Sequence, residues 1–220
     1  MEKRKIVFGT YDTALDGAWT VARLELTSPD FQAHLVQVPG RNGPLDLSAV
    51  LTNGEPVYNS RNLTTVLENS DDDRPAREHR IRDMIARLDG YQTQIWLPDD
   101  AEHYLQGRVH VARNYNDLAH CAVTVTAVCD PWLYNNEETV YNLTARSEAQ
   151  KKLIVNTGRK TVVPVLETTG DVSLAYDTYT WTLTAGTYQL PDFVLRTGEH
   201  QLTYSGAGTI KITYREAVLL

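Results

Sequence analysis

The alternation of apolar and polar residues predicts that most of this chain forms β-strands. From Val21 to Leu26 the two kinds of side chain alternate, as they do in a strand with one buried face. Comparable patterns occur at 61–68, 92–97, 103–111 and 121–129, and in the second half at 153–156, 162–167, 172–176, 178–184, 186–190, 201–204 and 209–214. Short strands separated by glycine turns, such as Ser205-Gly206-Ala207-Gly208, are typical of an antiparallel β-sandwich.

One segment has the period of a helix instead. Its apolar residues form a single stripe, made of Ile81, Met84, Ile85 and Leu88. Pro75 is tolerated in a first helical turn, and Gly90 is suited to follow the last turn. We therefore predict one helix near 75–89. The arginines at 77, 80, 82 and 87 lie mostly off the stripe, on a face that contacts either solvent or another subunit.

The predicted elements divide into two domains. Asn135-Asn136-Glu137-Glu138 has the polar composition of a linker. We expect an N-terminal β domain over residues 1–136, which contains the helix, and a C-terminal β-sandwich over residues 137–220. The predicted fold class is all-β with one α-helix.

Composition excludes several classes of protein. The 220 residues are 42% hydrophobic and carry a net charge of −7. This charge argues against a general nucleic-acid binder, because such proteins need a basic surface. No apolar run approaches the length of a membrane span. The N-terminus lacks the long apolar stretch of a secretory signal, so we do not expect export by that route.

The two cysteines flank one predicted strand. The strand would place Cys121 and Cys129 roughly 26 Å apart, whereas a disulfide needs Cα atoms within about 7 Å. We therefore expect no bond between them. Their even spacing directs both side chains to the same face, so we expect free buried thiols, as suits a reducing cytoplasm.

No arrangement of residues compels catalysis or metal binding. Asp99, Asp100, Glu102 and His103 are close in sequence, but they follow Pro98 on a predicted turn, where charged residues are simply solvated. The acidic run at 71–73 lacks the ligand spacing of a calcium loop and suits a helix N-terminus. We predict that the chain is not an enzyme and uses no cofactor and no metal.

A compact loop follows the extended run at 32–38. Pro39-Gly40 and Asn42-Gly43 are consecutive turn signals, so Arg41 is expected at the exposed end of a rigid hairpin. The pattern V-P-G-R-N-G-x-L-D-L over 38–47, followed by Y-x-x-R at 58–61, resembles the distal tail protein (Dit) family of phages with long, non-contractile tails. Two further segments resemble the family and occur in the same order, namely Leu88-Asp89-Gly90 and Cys129-Asp130-Pro131-Trp132. The sequence departs from the family at Glu199-His200, where other turn pairs are usual.

The resemblance implies a fold and a role. The family combines an N-terminal tail-tube-like β-sandwich or barrel domain with a C-terminal galectin-like β-sandwich. Its members are structural hubs of the siphophage tail tip, or baseplate, and form a hexameric ring through which DNA passes. The implied partners are the tail tube protein, the tail-associated tip protein, the tape measure and receptor-binding proteins, in a virion assembled in the host cytoplasm. We expect Arg41, Asn42 and Arg61 at the oligomer interface, without specific nucleic-acid binding or membrane insertion.

A carbohydrate-binding β-sandwich that aids host adsorption is the alternative. Aromatic rings can stack on sugars, and Tyr176, Tyr179 and Trp181 would form such a lectin-like surface. However, Tyr179 and Trp181 lie on one face of a predicted strand, where aromatic residues usually fill the core. The chain also lacks the long insertions that carry carbohydrate-binding modules in some relatives, which favours a purely structural hub.

Overall fold

The computed structural model of the chain describes residues 4–52, 54–69, 73–113 and 121–219. They form two compact units, one that ends at Leu133 and one that spans Tyr134–Leu219. The strands that begin in the first unit are β1 Val7–Phe8, β2 Tyr11–Asp12, β3 Thr20–Leu26, β4 Leu35–Val36, β5 Leu45–Asp46, β6 Arg61–Asn69, β7 Gln92–Trp96, β8 His103–Arg113 and β9 Cys121–Asn135. Its helices are α1 Thr13–Gly17 and α2 Arg74–Leu88, with a 3₁₀ turn at Val50–Thr52.

Most strands of the first unit belong to one sheet with the order β2-β1-β7-β8-β9-β6-β3. Side chains of β6 alternate between the core and the opposite face, as period-2 patterning requires. Leu63 and Leu67 of β6 and Val123 and Val125 of β9 are at most 1% exposed, so they form the inner face of this sheet.

Helix α2 lies at the predicted position, and its apolar stripe is buried at Ile81, Met84 and Leu88. The five-residue helix α1 was not predicted. It begins because the Asp12 carboxylate accepts hydrogen bonds from the backbone N–H groups of Ala14 and Leu15, at 3.0 and 3.2 Å. A short capped turn of this kind has too few residues to show a helical period.

The strand β9 is continuous between the two cysteine positions. Cys129 is a free, buried thiol, as predicted. Burial raises its pKa to about 11, so the thiol stays protonated at neutral pH. The side chain of Cys121 lies outside the described residues.

The second unit contains β10 Thr139–Ala145, β11 Gln150–Asn156, β12 Val165–Thr168, β13 Asp171–Tyr176, β14 Tyr179–Leu183, β15 Gly186–Gln189, β16 Gly198–Tyr214 and β17 Ala217–Val218. The first half of β16 pairs with β11 and β13, and its second half pairs with β10 and β12. One strand thus contributes to both layers of a sandwich. Leu166, Leu174, Phe193, Leu202 and Ile212 are fully buried between the layers.

The predicted turn at 205–208 is wrong, because β16 runs through it as one bent strand. Gly206 has a φ of 131°, a backbone conformation that residues with a Cβ rarely adopt. A Cβ at this position would overlap the carbonyl oxygen of Asp171 on the neighbouring strand. The glycines therefore allow a bend and a close backbone approach, where the sequence pattern had indicated a reversal.

We expect Gly206→Ala to lower the free energy of unfolding by on the order of 3 kcal/mol, because it adds backbone strain and a steric overlap. Gly198→Ala is the matched control, since Gly198 also has a positive φ, 118°, but no atom within 4 Å of an added Cβ. Urea unfolding followed by circular dichroism measures both. Equal losses for the two variants would contradict the close approach at the bend.

Candidate assembly surface

Between β3 and β6 the chain leaves the sheet as a two-stranded projection, residues 27–60, which we call the arm. At its base the backbone N–H of Asn59 donates to the Asp30 carbonyl at 2.9 Å, and that of Gln32 donates to the Val57 carbonyl at 2.8 Å. Further out, β4 pairs with β5. Every residue from 31 to 44 is exposed.

The tip of the arm is a tight turn. The backbone N–H of Arg41 donates to the Val38 carbonyl at 3.2 Å, and Gly40 has a φ of 81°. Proline followed by a glycine with positive φ is the arrangement of a type II turn. The structure therefore confirms the predicted turn and exposes Arg41 and Asn42 side by side, although the strand predicted at 32–38 is reduced to Leu35–Val36.

Hydrogen bonds behind the tip fix the return strand of the arm. The Asp46 carboxylate accepts a hydrogen bond from the backbone N–H of Ser48 at 2.9 Å, and the Ser48 hydroxyl accepts one from the backbone N–H of His34 at 2.7 Å. Hydrogen bonding from Ser48 lowers the pKa of Asp46. The L-D-L-S segment of the family-like motif thus has a local structural role.

The arm carries apolar side chains that no core covers. The exposed fractions are 45% for Phe31, 56% for Leu35, 37% for Val36, 39% for Val38 and 62% for Val50. A two-stranded ribbon is at best marginally stable by itself. Neighbouring exposed apolar side chains commonly mark a protein–protein contact. The chemistry of this surface is therefore that of a docking element.

Aromatic rings attach the base of the arm to strand β9. Phe31 meets Tyr58 edge to face at 6.3 Å between ring centroids, and Tyr58 meets Trp132 in the same way at 5.7 Å. Such pairs contribute beyond their buried area. They hold the base in place, whereas residues 31–44 are exposed to solvent.

Arg61, the third residue expected at an interface, is in the interior. It is 1% exposed, opposite Cys129 in the strand register, at the point where the arm rejoins the sheet. None of its guanidinium nitrogens has a hydrogen-bond partner in the described structure, and burial lowers its pKa. The structure therefore brings Arg41 and Asn42 together at the tip and places Arg61 elsewhere, in the core.

The three aromatic residues of the lectin-like alternative lie at the edge of the second core. Tyr176 and Trp181 pack against Phe193, with ring centroids 5.0 and 6.3 Å away, and the Tyr176 hydroxyl donates to the Val194 carbonyl at 2.8 Å. Tyr179 stacks on Trp181 and is 44% exposed. Two of the three rings thus contribute to packing.

Sequence patterns did not show the role of Arg87. Its guanidinium lies 3.3 Å from the Asp16 carboxylate, 3.5 Å from that of Asp83 and 4.7 Å from the centre of the Tyr11 ring. It therefore links α2 to α1 and β2. The only available signal was its place in the last turn of α2, where a cation is favourable.

The acidic turn at 99–102 has a structural explanation. The Asp100 carboxylate accepts hydrogen bonds from the backbone N–H groups of Glu102 and His103, at 3.1 and 3.0 Å, and contacts the His103 ring. Within the described residues, no group of three or more His, Cys, Asp or Glu side chains could hold a metal ion. The described helices also include none that is long and apolar enough to cross a membrane.

Comparisons with known proteins agree with the fold. No protein-family model matches the chain, and no curated protein matches it. A crystal structure of SPP1 Dit, presented as a paradigm of the hub adsorption apparatus in phages that infect Gram-positive bacteria, superposes with a TM-score of 0.68. The match covers 96% of this chain and 98% of SPP1 Dit, at 14% sequence identity. The chain has the Dit fold. Because the match spans nearly the whole length, the Dit fold accounts for both units.

Proposed function

We propose that this protein is a structural hub of a siphophage tail tip. The observation that carries the proposal is the match to SPP1 Dit over 96% of the chain. The exposed arm supports it, because an apolar projection without a core of its own suits a protein that functions as an assembly.

The proposed assembly is a closed ring of six copies. A head-to-tail interface generates a ring when its rotation divides the circle. In this ring the arm of each copy contacts the next copy, with Arg41 and Asn42 at the contact. The first unit forms the ring and the second lies at its periphery, in keeping with the family that the sequence resembles.

In the virion, the ring would join the tail tube to the tip protein and the receptor-binding proteins. DNA would pass through its channel. The net charge of −7 per copy favours a neutral or acidic channel, since a basic lining would retain the phosphate backbone. The arginine-rich face of α2 would then point away from the channel.

Light scattering and electron microscopy of the purified full chain at micromolar concentration test the proposal. We expect six-fold rings, single or stacked in pairs, and no salt-sensitive binding of duplex DNA in a gel-shift titration. A strictly monomeric species would contradict the hub function. Tight DNA binding by assembled rings would instead indicate a DNA-handling role.

A further inference from the structure

The first turns of α2 border a groove with a basic lining. The groove has a volume of about 400 Å³ and is lined by Arg74, Pro75, Glu78, His79 and Arg82. We call it the basic groove. Helix α2 has five arginines and two carboxylates, although the whole chain is acidic. The described residues that line the groove include two arginines and one carboxylate, so this lining carries positive charge on a negatively charged protein.

Glu78, the one carboxylate among the described residues that line the basic groove, is already engaged. Both oxygens of Glu78 accept hydrogen bonds from the guanidinium of Arg113, the last residue of β8. Hydrogen bonding from Arg113 is the main cause that lowers the pKa of Glu78, and the charges of Arg82 and Arg74 contribute less.

Arg74 and Arg82 lie one turn on either side of Glu78, at the spacing that normally forms helical ion pairs. Because Glu78 is held by Arg113, neither arginine forms an ion pair with any residue in the described ranges. Both cations thus remain available to an external carboxylate.

A complementary acidic surface lies between β7 and β8. It is the acidic turn described above, residues 99–102. The Asp99 side chain is 79% exposed, and its one ion pair, with Arg4 at 3.9 Å, is between two exposed groups and contributes little. Glu102 is exposed and forms no ion pair with the described part of the chain. Asp100 is occupied by its hydrogen bonds within the turn.

The basic groove and the acidic turn are at opposite ends of β8. The acidic turn contacts His103, the first residue of the strand, and the groove contacts Arg113, the last. The strand has 11 residues, and a rise of about 3.3 Å per residue makes it roughly 33 Å long. The two surfaces cannot meet within one subunit. A second copy placed head to tail can bring them together.

We propose that the acidic turn of one copy docks in the basic groove of the next. This proposal rests on the assembly proposed above and names a contact within it. Opposite charges at the two ends of β8 would set the direction and register of a head-to-tail interface. Like ends repel, so the contact also disfavours two-fold pairing through the same surfaces.

Two charge-reversal variants of the full chain test the contact. Arg74→Glu with Arg82→Glu makes both surfaces acidic, and Asp99→Arg with Glu102→Arg makes both surfaces basic. We expect each variant alone to remain monomeric, or to need at least a tenfold higher concentration than the wild type to assemble. In an equimolar mixture every contact is again complementary, so alternating rings with three copies of each variant should form. Native mass spectrometry counts the two variants in each ring.

Arg146→Glu with Lys151→Glu is the matched control for the groove variant, since both side chains are exposed in the second unit and the charge change equals that of Arg74→Glu with Arg82→Glu. It should assemble like the wild type, and circular dichroism should show all variants folded. The docking proposal is overturned if either reversed variant assembles normally, or if both are folded and the mixture stays monomeric. A monomeric wild type would instead refute the proposed hub function itself. Duplex DNA binding that requires Arg74 and Arg82 would assign the groove to nucleic acid and also overturn the docking.

Discussion

Replacement of arm residues 33–56 by Gly-Gly is expected to yield a folded protein that does not assemble. Gln32 and Val57 are joined by a backbone hydrogen bond of 2.8 Å, so a two-residue connection can close the shortened ribbon. The removed residues include the exposed tip and most of the uncovered apolar side chains. Their loss should therefore change the thermal midpoint little and remove the surface for the neighbouring copy. Light scattering reports the assembly, and circular dichroism reports the fold.

A point substitution tests the role of the arm in assembly at a single residue. Leu35→Asp introduces a charge on the arm, where Leu35 is 56% exposed, and Leu153→Asp introduces one in the second unit, where Leu153 is 46% exposed. Burial of a leucine side chain at an interface contributes about 1.5–3 kcal/mol, and a buried carboxylate costs more. Leu35→Asp should thus weaken assembly at least about tenfold, while Leu153→Asp should not. Rings from the shortened chain would show that the arm is dispensable.

Arg61→Met is expected to make the isolated chain more stable. A buried guanidinium without hydrogen-bond partners carries a desolvation cost that nothing in the described structure offsets. Methionine has a similar length and no charge, so the gain should be on the order of 1–4 kcal/mol in urea unfolding. Leu63→Met, on the same buried face, is the control and should cost less than about 1.5 kcal/mol. A loss of stability in Arg61→Met would show that the guanidinium is satisfied in solution.

The same variant tests the expectation that Arg61 acts in assembly. If the interface supplies a partner for the guanidinium, Arg61→Met will weaken ring formation while it stabilises the chain. A destabilised fold cannot explain that combination. Unchanged assembly would limit Arg61 to the interior of the first unit.

Local chemistry explains which elements the sequence could predict. The type II turn at the arm tip depends on Pro39 and Gly40, which are adjacent. The stripe of α2 depends on residues no more than two turns apart. Both signals are present in a short window, so pattern analysis located the turn and the helix.

Long-range packing explains the features that the sequence pattern could not predict. Gly206 appears in a turn-like segment, but its conformation is determined by the backbone of Asp171, which is distant in sequence. The burial of Arg61 depends on the pairing of β6 with β9 at the base of the arm, and a polar residue gives no local sign of that. Likewise, Arg74 and Arg82 form no ion pair within the described residues, because Arg113, on another element, holds Glu78. The basic groove could therefore not be recognised without the structure.

The shared strand β16 has a consequence for biosynthesis. Residues 198–214 pair with β10, β11, β12 and β13, all of which are synthesised earlier. Until this stretch leaves the ribosome, the four strands lack their central partner and expose unpaired edges. The second unit thus closes only after the whole of β16 has been made. A truncated translation product that stops before residue 198 would carry an open, aggregation-prone half-sandwich.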